Sequence, residues 1–241
     1  MEFETMQSRV EAAGIPLSKA TESARATFIR QTYIHLAIAL LGFVVVEALL
    51  LSSPFVEKLA RSMTQGWAWL IVLGGFAFVT GFANRWALTS TDRNKQYAAL
   101  AIYVVAEAII FVPLLYVATR FFDGFAILSQ AAVVTLFLFS GLTAVALTSN
   151  RDFSFLRKGI MIGTFVAIGL IVAGILFGFN LGIFFSFAMV GLAGASILYQ
   201  TSQMVHHYHT DQYVAAALGL FASFMLLLWY VIDILMRLQG D

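Results

Sequence analysis

The sequence predicts an all-α polytopic membrane protein, a bundle of seven transmembrane helices. Three observations predict it. The 241 residues are 61% hydrophobic and only 11% charged, far from the composition of soluble domains. The apolar residues gather into seven stretches, each close to the ~20 residues that cross a bilayer. Within those stretches the apolar residues run continuously, which argues against the period-two alternation of a lipid-facing β-barrel. Helices also satisfy their own backbone polar groups, as lipid requires.

In chain order, residues 1–29 are polar and lack the apolar segment of a cleavable signal. They are read as a cytosolic N-terminal tail lying outside the bundle, and residues 30–241 as the membrane domain. Gly14 and Pro16 interrupt any long helix in the tail. The spans fall at 31–51, 67–88, 98–119, 127–148, 159–179, 181–199 and 213–236. Trp67, Trp69, Trp86, Tyr97 and Tyr213 stand at span ends, where amphipathic rings favour the interface, and Trp229 lies deeper as a packing residue. Spans five and six are joined only by Gly178, Phe179 and Asn180, a tight turn. These two spans also carry Gly159, Gly163, Gly174, Gly191 and Gly194 at helical spacings, so they are expected to pack closely and to form part of the bundle centre.

Loop charge predicts the orientation. Ten Lys and Arg residues fall on the N-terminal side (Arg9, Lys19, Arg25 and Arg30; Arg85, Arg93 and Lys95; Arg151, Arg157 and Lys158). Four fall on the other (Lys58, Arg61, Arg120 and Arg237). The bias puts the N-terminus in the cytoplasm and, after seven spans, the C-terminus outside. There is no cysteine, which excludes disulfides and thiolate chemistry. The net charge of +1 is spread among loops, and no basic run suggests nucleic acid.

Ionisable groups inside spans are expensive and mark candidate sites. Glu107 lies near the middle of span three, Glu47 in the outer part of span one and Asp233 in the outer part of span seven. None has a basic partner within a helical turn inside its own span. Glu107 is the deepest and the strongest candidate for an ion or proton role. The other reading is a neutral carboxyl that ties helices together. After span six comes His206-His207-Tyr208-His209-Thr210-Asp211, too cramped for a metal site and read as a solvated interfacial loop. Gly194-Ala195-Ser196-Ile197 has the look of an intramembrane serine protease, yet no later span holds a histidine at depth. A retinal protein would need a lysine in the last span, which has none. No phosphate loop or zinc-protease motif occurs, so no enzyme activity, cofactor or metal is expected.

Three stretches together resemble the Bax inhibitor-1/YccA family, also called the transmembrane Bax-inhibitor-motif family. The first is Phe28-Ile29-Arg30-Gln31-Thr32-Tyr33 at the entry to span one. The second is Leu142-Thr143 followed by Ser149-Asn150-Arg151-Asp152-Phe153-Ser154-Phe155-Leu156. The third is Ile197-Leu198-Tyr199-Gln200-Thr201-Ser202, then His206, then Tyr213 through Leu218. The resemblance implies a seven-helix bundle with the last helix near the centre, and Glu107 falls where family members often carry a glutamate. Some members are pH-sensitive calcium leaks, a role attributed to two facing acids. Those positions align here with Gln200 and Ser223, so both charges are absent. Two neutral side chains cannot share a proton as a carboxylate pair does. The YccA-like bacterial branch implies another role, binding a membrane-anchored ATP-dependent protease in the inner membrane. The sequence therefore leads to a non-enzymatic regulatory protein of a bacterial inner membrane. The alternative is a Ca²⁺ or proton leak through Glu107.

Overall fold

The computed structural model of the protein describes residues 14–90, 92–149 and 151–240. Eight α-helices form among them: α1 (Glu22–Leu51), α2 (Val56–Thr64), α3 (Ala68–Thr89), α4 (Arg93–Phe121), α5 (Gly124–Thr148), α6 (Leu156–Phe177), α7 (Gly182–His206) and α8 (Tyr213–Gly240). All but α2 are long and apolar enough to cross a membrane, and no strand is present among the described residues. The chain is an all-α polytopic membrane protein, and each span of the sequence reading corresponds to one of the seven long helices.

Local chemistry sets the helix ends. Asp92 starts α4 by accepting the Asn94 N–H (2.9 Å), and Asp123 starts α5 by accepting that of Ala126 (3.1 Å). The turn after α6 begins at Gly178, whose φ of +72° is left-handed, and Asn180 Oδ1 then takes the Gly182 N–H (3.0 Å). The short α2 was invisible to a search for spans because it is only nine residues long. It is amphipathic: Ala60 and Met63 are buried, while Arg61 and Glu57 pair on the outside (2.9 Å).

The bundle is built around α8, which packs against α7, α5, α1, α4 and α3 and is buried along nearly its whole length. Beside it, α4 buries one face from Gln96 to Ala118 and leaves Tyr97, Ile102, Val105 and Ile109 exposed on the other. The central position of the last helix follows the family resemblance. The expectation for spans five and six needs correction: α6 lies at the edge, packs chiefly on α7, and buries only Ala167. Small residues let two helices approach, but they do not place either helix in the middle. A Cβ on Gly163 would stand 2.9 Å from Leu192 Cδ1, so close approach is real there, whereas Gly159 and Gly191 face open space.

Aromatic rings fill the space around α8. Tyr103 meets Phe221 (6.1 Å between centroids) and Phe76 (6.5 Å). About two turns further along, Phe111 meets Trp229 (4.9 Å) and Phe43 (5.1 Å), and Trp69 stacks on Trp229 (6.2 Å). Trp69, in the first turn of α3, thus packs on the bundle while standing at the span end. The Tyr213 hydroxyl accepts from Arg93 and lies 3.1 Å from that of Tyr97, while the Tyr213 ring packs on His35 (4.9 Å).

The N-terminal segment also differs from its reading as an outlying tail. Residues 1–13 lie outside the described residues, but residues 14–29 belong to the bundle. Helix α1 already begins at Glu22, capped by Thr21. Ahead of it, residues 14–17 lie along the loop between α7 and α8. The Leu17 N–H donates to the Tyr208 carbonyl (2.8 Å) and the Thr210 N–H to the Ile15 carbonyl (3.0 Å), with Pro16 bridging His209 in antiparallel fashion. Leu17 is 1% exposed, and Arg25 Nε donates back to its carbonyl (2.8 Å). Gly14 is required twice over: its φ is +71°, and a Cβ there would stand 2.2 Å from Asp211 Oδ1. The buried Leu17 and these backbone hydrogen bonds together anchor the segment.

Leu17→Ala should therefore destabilise the protein by about 2–4 kcal/mol, the range for a buried leucine cut to alanine. Its exposed neighbour Ser18→Ala should change stability by less than about 0.5 kcal/mol. Melting in detergent distinguishes the two. Equal melting temperatures for both variants would show that the segment is not anchored through Leu17.

Candidate functional site

Polar side chains enter the bundle at three levels. The first is the N-terminal face, where the loop between α5 and α6 meets the last turns of α7. Asp152 caps a short 3-10 turn (Phe153–Phe155) by accepting the Ser154 N–H (2.9 Å) and the Ser154 hydroxyl (2.6 Å). From α7, Ser202 Oγ donates to Asp152 Oδ1 (3.2 Å) and accepts the Phe153 N–H (2.9 Å). Gln203 Nε2 donates to Ser154 Oγ (2.7 Å), and His207 Nε2 lies 3.0 Å from Asp152 Oδ2. The Ser154 hydroxyl, followed by the Ser154 N–H and His207, holds the Asp152 carboxyl well below the usual carboxylate range. The arrangement clamps loop to helix.

Asp152 and Phe153, chosen from sequence, belong to this clamp. His206 does not meet the acid: its Nδ1 lies 3.0 Å from the Ser202 carbonyl of its own helix. Its neighbour His207 pairs with Asp152, and the sequence reading missed it, together with Ser154, Ser202 and Gln203. The Asp-x-Ser spacing at 152–154 is the signal that could have pointed to the turn. The 206–211 loop is tied down by the segment at 14–17 and is not simply solvated. Among the described residues, no three His, Asp or Glu side chains gather as a metal-ligand set.

The second level is the bundle interior. Ser223 Oγ donates to the Gly219 carbonyl of its own helix (3.1 Å), and a Cβ on Gly219 would stand 2.8 Å from Gln200 Oε1. The two positions thus converge on Gly219 without a charge between them. Nearby, Tyr33, Thr143 and Thr201 turn buried hydroxyls towards one another without reaching hydrogen-bond geometry. Each comes from a different one of the three family-like stretches, so those stretches meet in space. Glu107 is 6% exposed on α4, one turn from Tyr103 and one turn from Phe111. Its carboxyl therefore sits between the two aromatic layers. Glu47 is 3% exposed, and neither carboxyl oxygen has a hydrogen-bond partner.

The third level is the C-terminal face. Asp233 Oδ2 accepts from Arg237 Nε (2.8 Å) and from the Ser186 hydroxyl. This corrects the expectation of an unpaired acid. The sequence reading ended the span at 236, whereas α8 continues to Gly240 and places Arg237 four residues on, over the carboxylate. Asp233 is an ion-paired structural group, and the three acids do not assemble into one site: one is paired, and the other two stand in separate apolar settings.

Asp152→Asn should loosen the clamp in a pH-dependent way. A depressed carboxyl contributes stability above the unfolded-state Asp pKa of about 3.9 and loses it as pH falls through the folded-state value. The melting difference between wild type and Asp152→Asn should be largest near neutrality and shrink below about pH 4. A difference that stays constant down to pH 3 would refute a role for the charged carboxylate.

Comparison with known proteins gives this geometry its context. The family model described as inhibitor of apoptosis-promoting Bax1 matches residues 25–240. An uncharacterized protein of Pseudomonas aeruginosa is 28% identical over 171 residues, covering 69% of this chain and 76% of its own. Mouse protein lifeguard 4 (Mus musculus) is 26% identical over 234 residues, covering 92% of this chain and 90% of its own. An uncharacterized protein of Neisseria meningitidis is 23% identical over 184 residues, covering 69% and 81%. With the family model spanning all seven membrane helices, the chain belongs to the Bax inhibitor family.

Proposed function

We propose that the protein acts by binding, not by catalysis, as a regulator of membrane quality control whose partner is a membrane-anchored ATP-dependent protease. The observation that carries this reading is the neutral pair at Gln200 and Ser223. One amide and one hydroxyl converge on Gly219, and the Ser223 hydroxyl is spent on its own helix. Such a site lacks the two titratable groups of a proton-shared pair. It also lacks the carboxylates that bind Ca²⁺ strongly. The aromatic layers on either side of Glu107 are a further argument against an open path through the centre. The excess of Lys and Arg on the N-terminal side supports an inner-membrane orientation with that face in the cytoplasm, where an ATP-dependent partner would work.

A second reading has its own observation. Glu107 and Glu47 are both almost fully buried, and buried acids in membrane helices mark ion or proton paths by default. On that reading the protein is a pH-sensitive cation leak through Glu107.

Purified protein in liposomes should show little pH-gated Ca²⁺ flux, and Gln200→Asp combined with Ser223→Asp should increase it. Strong flux from wild type, abolished by Glu107→Gln, would replace the first reading with the second. Deleting residues 2–13 leaves the contacts of residues 14–17 in place and should weaken co-purification with the protease. Normal co-purification and normal control of substrate turnover by the truncated chain would rule out that segment as the contact. A reporter fused after Asp241 should work only outside the cytoplasm, and cytoplasmic activity would overturn the orientation.

A further inference from the structure

We propose that the N-terminal face holds a binding site for a phosphate-bearing ligand, in a cavity of about 420 Å³ walled by α3, α6, α7 and the α7–α8 loop. The proposal is independent of the protease reading. The cavity falls within the size range of small-molecule sites. Its lining is unusual for a membrane bundle. Asn84 of α3, Arg157 of α6, Tyr199 and Gln200 of α7, and Tyr208 of the loop all contribute polar groups. Asn84 and Arg157 are exposed and Tyr199 and Gln200 half-buried, and among the described residues none of the four makes a side-chain hydrogen bond, so their donors are available to a guest.

Charge decides the class of guest. No Asp or Glu lines the cavity. His207 reaches it but is already matched by Asp152. Arg157 is left as the one full charge without an acidic partner among the described residues. A guanidinium fork surrounded by neutral donors suits an anion. Because those donors come from three helices and a loop around one cavity, with Asn84 and Arg157 exposed at its mouth, they suit the several oxygens of a phosphate better than the two of a carboxylate. Position agrees with chemistry. Asn84 lies near the end of α3, which stops at Thr89, and Arg157 lies in the first turn of α6, which starts at Leu156. The cavity therefore stands at the level of lipid headgroups, open both to a headgroup phosphate and to a soluble phosphomonoester. The segment at 14–17 fixes the wall from outside through the Tyr208 carbonyl.

The test uses the full-length protein in dodecyl maltoside, a detergent without phosphate. Two probes are titrated, sn-glycerol 3-phosphate and phosphatidylglycerol, with diacylglycerol as the phosphate-free control. Melting shift and native mass spectrometry read binding. Wild type should bind at least one phosphate probe and not the control. Arg157→Gln should weaken that binding about tenfold, as should Gln200→Asp, which puts a negative charge into the cavity. Lys158→Gln, next in sequence but not in the lining, should have no effect. Melting of each variant without ligand checks its fold, and the two lining variants are independent of one another. Binding of the soluble probe alone assigns a phosphomonoester, binding of the lipid alone assigns a headgroup, and binding of both supports the shared chemistry. The proposal is overturned if neither probe binds wild type, or if Lys158→Gln weakens binding as much as Arg157→Gln.

Discussion

The whole bundle depends on α8 being enclosed by protein on every side. Lipid tails are as apolar as leucine, so exclusion from water does not drive these helices together; close packing does. The run Ala215-Ala216-Ala217 and Gly219 keep one end of α8 slender, and Phe221, Phe224 and Trp229 fill the other. Five neighbouring helices then share one central surface. Three of the polar positions lie along that helix itself. Tyr213 sits at its entrance, Ser223 in its middle and Asp233 near its exit.

This constraint also explains which features were legible in the sequence. Length and hydropathy are properties of whole segments, so all seven spans could be read without knowing any contact. Their ends could not, because polar residues also continue a helix once neighbours hold it: α1 starts at Glu22 and α4 at Arg93, both earlier than the apolar runs suggest. Centrality was misread for a related reason. An outer helix in lipid is as apolar as an inner one, and α6 with its glycines carried no mark of its place at the edge. Among the site residues, Asp152 and Phe153 were picked out by the family-like loop stretch, not by any contact visible in the sequence. The choice between His206 and His207 depends on helix phase at a last turn, and sequence spacing alone did not settle it. Arg237 was lost through a boundary drawn one residue too early.

Membership of the Bax inhibitor family gives the scaffold, but the scaffold does not carry one obligatory chemistry. In this chain interior positions 200 and 223 hold an amide beside Gly219 and a hydroxyl turned onto its own backbone. Titratable groups lie elsewhere: a clamp on one face, an ion pair on the other, and two solitary carboxyls between them. The polar interior thus divides into parts that fasten and parts that remain chemically unassigned by the fold.

The short antiparallel pairing of residues 15–17 with 208–210 joins the beginning of the chain to the loop that leads into its central helix. Its mechanical consequence concerns pulling. A machine that grips the N-terminus does not peel α1 from the outside as a loose end. Tension first loads the two backbone hydrogen bonds and the buried Leu17, which hold the chain ahead of α1. Traction from that end must therefore strip this pairing and expose Leu17 before it reaches α1.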